Sequence, residues 1–199
     1  MNDEWARSTR VRRIAHWLLH YSYTLIWGCT VEGLEHLPAE GGIIIAGAPH
    51  TSYFDIVMAI GAGPKRVLLG VTKAEAFKTP FVGWFLRKAG AIPLDRKSGA
   101  AGLRAAIEAL AAGGCIGIFP EGTRSKTGEL GRAKAGMGYL ASRSGALVVP
   151  VRLIGMFGFP WTRKIGVRFG PALRFDDPAA DSAACQAFAQ SVLERAFSL

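Results

Sequence analysis

Apolar and polar positions along the chain alternate between two periods. Short runs rich in β-branched residues, GGIIIAGA (41–48), RVLLGV (66–71), CIGIFP (115–120) and GALVVPVRLIG (145–155), predict strands. Between them, SGAAGLRAAIEALAAGG (98–114) and RAKAGMGYLASRSG (132–145) carry helical spacing. In the first of these helices Leu103, Ile107 and Leu110 share a face, Arg104 and Glu108 pair at i,i+4, and Gly113-Gly114 stop it before the next strand. Near the end, IGVRFGPALRF (165–175) predicts one or two short strands around a Gly-Pro turn, and PAADSAACQAFAQSVLERAFSL (178–199) a closing amphipathic helix. Strands that alternate with helices, and that are apolar throughout rather than on one side, predict an α/β fold. The expected architecture is a single domain with a mostly parallel or mixed central sheet flanked by helices.

The N-terminus breaks this pattern. Arg7, Arg10, Arg12 and Arg13 precede a stretch from Ile14 to Val31 without Asp, Glu, Lys or Arg. A bilayer-spanning helix needs about 20 predominantly apolar residues, and His16, His20, Ser22 and Thr24 dilute this stretch. A secretory signal would end in a small-residue cleavage site, which the segment lacks. The arginines, with Trp17, Leu18, Tyr21, Leu25 and Trp27, fit best an amphipathic helix lying in the membrane interface, its basic residues toward the headgroups. Packing of the same aromatics on the domain is the alternative. The expected division is a membrane-associating helical segment, 1–30, and a folded domain, 31–199. The expected location is the cytoplasmic face of the cell membrane, as a peripheral or monotopic protein.

Composition sharpens this picture at two points. A chain of 199 residues with 50% hydrophobic and 20% charged content is globular rather than disordered. Its net charge of +9 is concentrated: nineteen Lys or Arg stand against five Asp or Glu between Ile60 and Phe175. Such an excess expects an anion, which nucleic acid, an anionic membrane or a phosphorylated substrate would each supply. No zinc-finger spacing or RNA-recognition aromatic signature supports nucleic acid, so it is not expected as a partner. Cys29, Cys115 and Cys185, odd in number and far apart, form neither a disulfide framework nor a metal set.

In open α/β sheets, ligands gather beyond the carboxyl ends of strands. His50 follows the run IIIAGA across Pro49, whose missing N–H ends the strand. With His50 outside the helix that follows, its ring can turn back toward Asp55. A carboxylate there would fix the imidazole tautomer and leave the second nitrogen free to take a proton. An isolated H-x4-D is more often a loop histidine beside a first-turn acid. The balance shifts at IGIFPEGTRS (116–125), where another strand ends in a turn carrying Glu121, Gly122, Thr123, Arg124 and Ser125. A guanidinium fork, two hydroxyls and turn amides suit a phosphate. GAIPLDRKSG (90–99) places Arg96 after a third short strand. Ser52 is no nucleophile candidate, because it adjoins His50 and no G-x-S-x-G elbow is present.

Together these blocks resemble the glycerolipid acyltransferases typified by the 1-acylglycerol-3-phosphate (lysophosphatidate) acyltransferases, from about Val31 to Pro171. PHTSYFD (49–55) is similar to N-H-x-S-x-x-D and carries His50 and Asp55; Pro49 stands where the family usually has Asn. GAIPLDR (90–96) is similar to the family's Gly-to-Arg block, FPEGTRS (119–125) matches its third block, and LVVPVRL (147–153) with Pro150 its fourth. The resemblance implies transfer of a fatty acyl group from acyl-CoA or acyl-carrier protein to the free hydroxyl of 1-acylglycerol-3-phosphate, giving phosphatidate without a metal or other cofactor. His50 would be the base and Asp55 its orienting acid; Arg96, Glu121, Gly122, Thr123, Arg124 and Ser125 would hold the acceptor. Glu121 reads equally as a ligand for substrate hydroxyls or as a brace for the turn. The alternatives are another acceptor, glycerol-3-phosphate or a different lysophospholipid, and a non-catalytic phospholipid-binding protein.

Overall fold

A run such as IIIAGA has no polar residue to face water, so it belongs in the middle of a sheet covered on both sides. In the computed structural model that is its place, and all of Ile43–Ala48 is buried. The structure describes residues 21–52, 55, 58, 68–80, 83, 84, 87, 92–94, 99–161 and 164–199. Among these the strands are β1 (Thr30–Glu32), β2 (Ile43–Ala48), β3 (Leu68–Lys73), β4 (Ile92–Leu94), β5 (Cys115–Ile118), β6 (Leu147–Ile154) and β7 (Gly166–Phe169). The long helices are α1 (Gly99–Ala111), α2 (Ala135–Ser144) and α3 (Ser182–Ser198).

The seven strands form one sheet in the order β1-β7-β6-β2-β5-β3-β4. β2 pairs in parallel with both β5 and β6, β3 with β4 and β5, and β1 with β7. β7 alone runs antiparallel to its neighbour β6. Only residues 155–165 separate the two strands, a connection too short for a crossover helix, so the chain turns back on itself. The sheet is therefore mixed. β1, three residues at the sheet edge, has no apolar run to announce it.

Alternation along β2 divides the core. Ile44, Ala46 and Ala48 join Ile116 and Val148 on one face, under α1, α2 and α3. Ile43 and Ile45 join Cys115, Val149, Val151 and Phe169 on the other, with Tyr23 and Met58. The helices stop and start where local chemistry requires. Gly113, at φ +82°, closes α1 by donating to Leu110 O at 2.9 Å. Gly145, at φ +65°, closes α2 by donating to Ala141 O at 3.0 Å. Asp181 caps α3 by accepting from Ala184 N at 2.7 Å.

α2 and α3 approach closely at Gly138, where a Cβ would stand 2.0 Å from the backbone oxygen of Cys185. The two helices must separate to admit it. Gly138→Ala is expected to cost about 1–3 kcal/mol of stability despite alanine's better helix propensity. Denaturant unfolding checks this; an unchanged or raised midpoint would mean that the helices slide apart at no cost.

Of the N-terminal segment, residues 21–27 are described and helical. Tyr23 and Trp27 pack on the domain, with ring centroids 6.0 and 5.0 Å from Phe159. Tyr21, Leu25 and Ile26 remain exposed. Trp17, Leu18 and the four arginines lie outside the described residues. Among the described residues no helix is long and apolar enough to cross a membrane.

Candidate active site

Because β2, β3, β4, β5 and β6 all run in one direction, their carboxyl ends share one edge of the sheet. β2 leaves that edge through buried Pro49 and delivers His50 at the mouth of a helix that contains Asp55. From within this helix the Asp55 carboxylate reaches back to the backbone N–H groups that follow His50. Asp55 Oδ2 accepts from Thr51 N at 2.6 Å and from Ser52 N at 2.8 Å. The same oxygen meets His50 Nδ1 at 2.8 Å. A carboxylate can only accept, so Nδ1 carries the imidazole proton and Nε2 keeps its lone pair. Asp55 is wholly buried. Three donors on one oxygen offset the cost of taking that charge out of water. Among the described residues its other oxygen, Oδ1, has no hydrogen-bond partner.

The adjacent β5 ends at Ile118 and turns through Phe119, Pro120 and Glu121. The Phe119 ring stacks on the His50 imidazole, with centroids 4.0 Å apart and planes 12° from parallel. Gly47 makes room for it: a Cβ at that position would come within 2.7 Å of the Phe119 ring. Glu121, only 3% exposed, accepts from His50 N through Oε2 at 3.1 Å and from Gly131 N through Oε1 at 3.5 Å. Burial raises its carboxyl above the ordinary value, against the lowering effect of these two N–H groups. Ser125 N donates to His50 O at 2.6 Å. The loop that carries His50 is thus stitched to the FPEGTRS loop through both of its own backbone groups and one buried carboxylate.

Beyond this seam lies an open depression of roughly 200 Å³, lined in part by Thr123, Arg124, Ser125 and Arg132. Gly122, at φ +65°, makes the turn, and a Cβ there would press on the Lys134 side chain at 3.0 Å. Ser125 Oγ accepts from Gly128 N at 3.1 Å, which steadies the rim. Among the sequence-predicted residues, the structure brings together His50, Asp55, Glu121, Gly122, Thr123, Arg124 and Ser125. Arg96 lies outside the described residues, although β4 ends at Leu94 on this same edge. Phe119 and Arg132 were not predicted. Phe119 was legible only as part of the FPEGTRS block, and Arg132 as one of many basic residues. Among the described residues no group of three His, Cys, Asp or Glu side chains is placed to hold a metal ion.

Comparison with known proteins places this arrangement. The chain is 35% identical over 128 residues to the chloroplastic 1-acyl-sn-glycerol-3-phosphate acyltransferase LPAT1 of Arabidopsis thaliana, covering 63% of this chain and 35% of that one. It is 34% identical over 130 residues to the 1-acyl-sn-glycerol-3-phosphate acyltransferase of Bacillus subtilis, covering 64% of this chain and 63% of that one. The crystal structure of the 1-acyl-sn-glycerophosphate acyltransferase PlsC from Thermotoga maritima shares the fold, with a TM-score of 0.75 over 98% of this chain and 82% of that one, at 24% identity. The chain therefore spans about a third to under two thirds of the length of these two sequence relatives. The Acyltransferase family profile matches residues 28–154, which contain the His50–Asp55 pair and the FPEGTRS turn, and the chain belongs to that family.

Proposed function

We propose that the protein transfers a fatty acyl group from a thioester, acyl-CoA or acyl-carrier protein, to the free hydroxyl of 1-acylglycerol-3-phosphate, forming phosphatidate. The observation that carries this reading is the contact of buried Asp55, through one oxygen, that fixes His50 Nδ1 at 2.8 Å beside a basic, hydroxyl-bearing turn. The names of the relatives and the phosphate chemistry of the turn support the choice of acceptor. In this reading His50 Nε2 takes the acceptor's hydroxyl proton as its oxygen attacks the thioester carbonyl. The tetrahedral oxyanion collapses, the C–S bond breaks, and the proton on His50 passes to the departing thiolate. A thiolate leaves readily, so no stronger acid is required.

Arg124, Thr123, Ser125 and Arg96 would hold the acceptor phosphate, with Gly122 letting the backbone approach it. Glu121, whose oxygens are taken by backbone N–H groups, braces the His50 loop against the turn. Membrane association of segment 1–30 and a position on the cytoplasmic face of the membrane belong to the same proposal, since acceptor and product are lipids.

The test is a radiolabelled transfer assay that offers acyl-CoA and acyl-carrier protein against lysophosphatidate, glycerol-3-phosphate and neutral lysophospholipids. Transfer to lysophosphatidate is expected; folded protein that acylates none of them overturns the reading. Arg124→Ala is further expected to raise KM for phosphorylated acceptors by roughly tenfold or more, the loss of one charge-assisted contact, and to change neutral ones little. Equal effects on both would give Arg124 a structural role instead.

A further inference from the structure

β6 belongs to the same parallel set as β2 and β5, so the segment that follows it leaves the sheet on the edge that carries His50 and Glu121. That segment reads GMFGFPW, residues 155–161, and it does not bury itself as such a composition would in a core. Met156 is buried and anchors it, while Phe157 is 53% and Trp161 91% exposed.

The loop is also not free-standing. Trp27 Nε1 donates to Pro160 O at 3.0 Å, and Phe159 sits between Tyr23 and Trp27. Loop and helical residues 21–27 therefore make one body, whose helical part leaves Leu25 80% and Ile26 62% exposed. On the other side, the Phe157 ring rests against Gly128, where a Cβ would come within 3.3 Å of it. Gly128 donates to Ser125 of the depression. Exposed apolar residues thus run from the N-terminal helical residues, over this loop, to the rim of the site.

We propose that the loop joining β6 to β7 is a membrane-seating loop, in which Trp161 and Phe157, with Leu25 and Ile26, enter the interface of an anionic bilayer and set the His50 edge against it. Charge decides in favour of lipid over a protein partner. The chain carries +9 overall, and Lys164 is exposed just beyond Trp161. A Trp among basic residues suits the depth where headgroups meet acyl chains. The inference rests on the reading of the acceptor as a lysolipid, which has to be drawn from such a surface.

The test uses the full chain. Cys29, Cys115 and Cys185 are all buried, so Trp161→Cys adds an exposed thiol for an environment-sensitive fluorophore. With vesicles of phosphatidylcholine containing roughly one third phosphatidylglycerol, the probe's emission is expected to shift to the blue. Trp161→Ser is expected to weaken vesicle co-sedimentation roughly tenfold, the worth of one largely buried aromatic. It should raise KM for vesicle-borne acceptor by a similar factor and leave turnover on a monomeric short-chain acceptor unchanged. A probe that stays unshifted while the protein sediments with the vesicles overturns the inference. So does a blue shift that appears with rising protein concentration and no vesicles, which would make the occupant a second copy of the chain. Probe and sedimentation need no turnover, so a protein that seats on vesicles but transfers nothing supports this inference and removes the acyltransfer reading alone.

Discussion

His50→Ala is expected to lower kcat/KM by roughly 10²–10⁴-fold, the worth of a positioned base, with a modest fall in the melting temperature, since buried Asp55 loses one of the three donors on its oxygen. The fold should survive because His50 contributes to it mainly through its backbone. Its N–H donates to Glu121 and its carbonyl accepts from Ser125, and both groups remain in alanine. The imidazole is 22% exposed and leaves no sealed cavity. What disappears is Nε2, the only basic atom that the Asp55 contact prepares. Parallel acyl-transfer kinetics and thermal unfolding check this; retained transfer by a folded variant would show that another group removes the acceptor's proton.

Asp55→Asn is expected to damage both activity and stability. The amide oxygen can still accept from Thr51 N, Ser52 N and His50, but without a negative charge it no longer stabilises the imidazolium that forms as His50 takes a proton. A fall in kcat of roughly 10²–10⁴-fold follows, as when other His-orienting carboxylates are neutralised. The new amide NH2 takes the place of Oδ1, which is buried and has no partner among the described residues. Leaving that donor unmet costs about 1–3 kcal/mol. The two effects separate by measurement: denaturant unfolding reads the second, and the kcat of folded variant reads the first. Full activity in Asp55→Asn would reduce Asp55 to a helix cap.

Pro49, where the family pattern usually has Asn, illustrates what a sequence block does and does not convey. Proline removes a side-chain amide and a backbone N–H, which puts the support of His50 in question. The structure supports His50 through neighbours instead. The N–H groups of residues 50, 51 and 52 go to Glu121 and Asp55, and none of these bonds needs a donor at position 49. That Asp55 is a first-turn acid within reach of His50 was legible in PHTSYFD. That one oxygen would serve the cap and the histidine together was not, since it depends on where the ring turns after leaving the strand.

Glu121 shows the same limit. Its two readings, hydroxyl ligand or brace, differ only in what lies opposite the side chain. The partners that the structure supplies are distant in sequence: His50, 71 positions away, and Gly131 across the turn. Phe119 and Gly47 form a pair of the same kind, meaningful only once β5 is laid beside β2 in register.

By itself, then, the sequence determined the elements and the chemistry each could carry, because hydrophobic period, glycine stops and capping acids act within a few residues of one another. Strand runs over 43–48, 115–118 and 147–154, helices over 99–111, 135–144 and 182–198, and the order of the blocks all follow from such local terms. Only the tertiary structure decided which edge the blocks share, that β7 turns back along β6, that β1 closes the far side, and that an apolar loop is left facing outward next to the site. Those outcomes depend on strand register and on contacts between residues far apart in the chain, and no spacing along one strand encodes what the neighbouring strand will bring to its side.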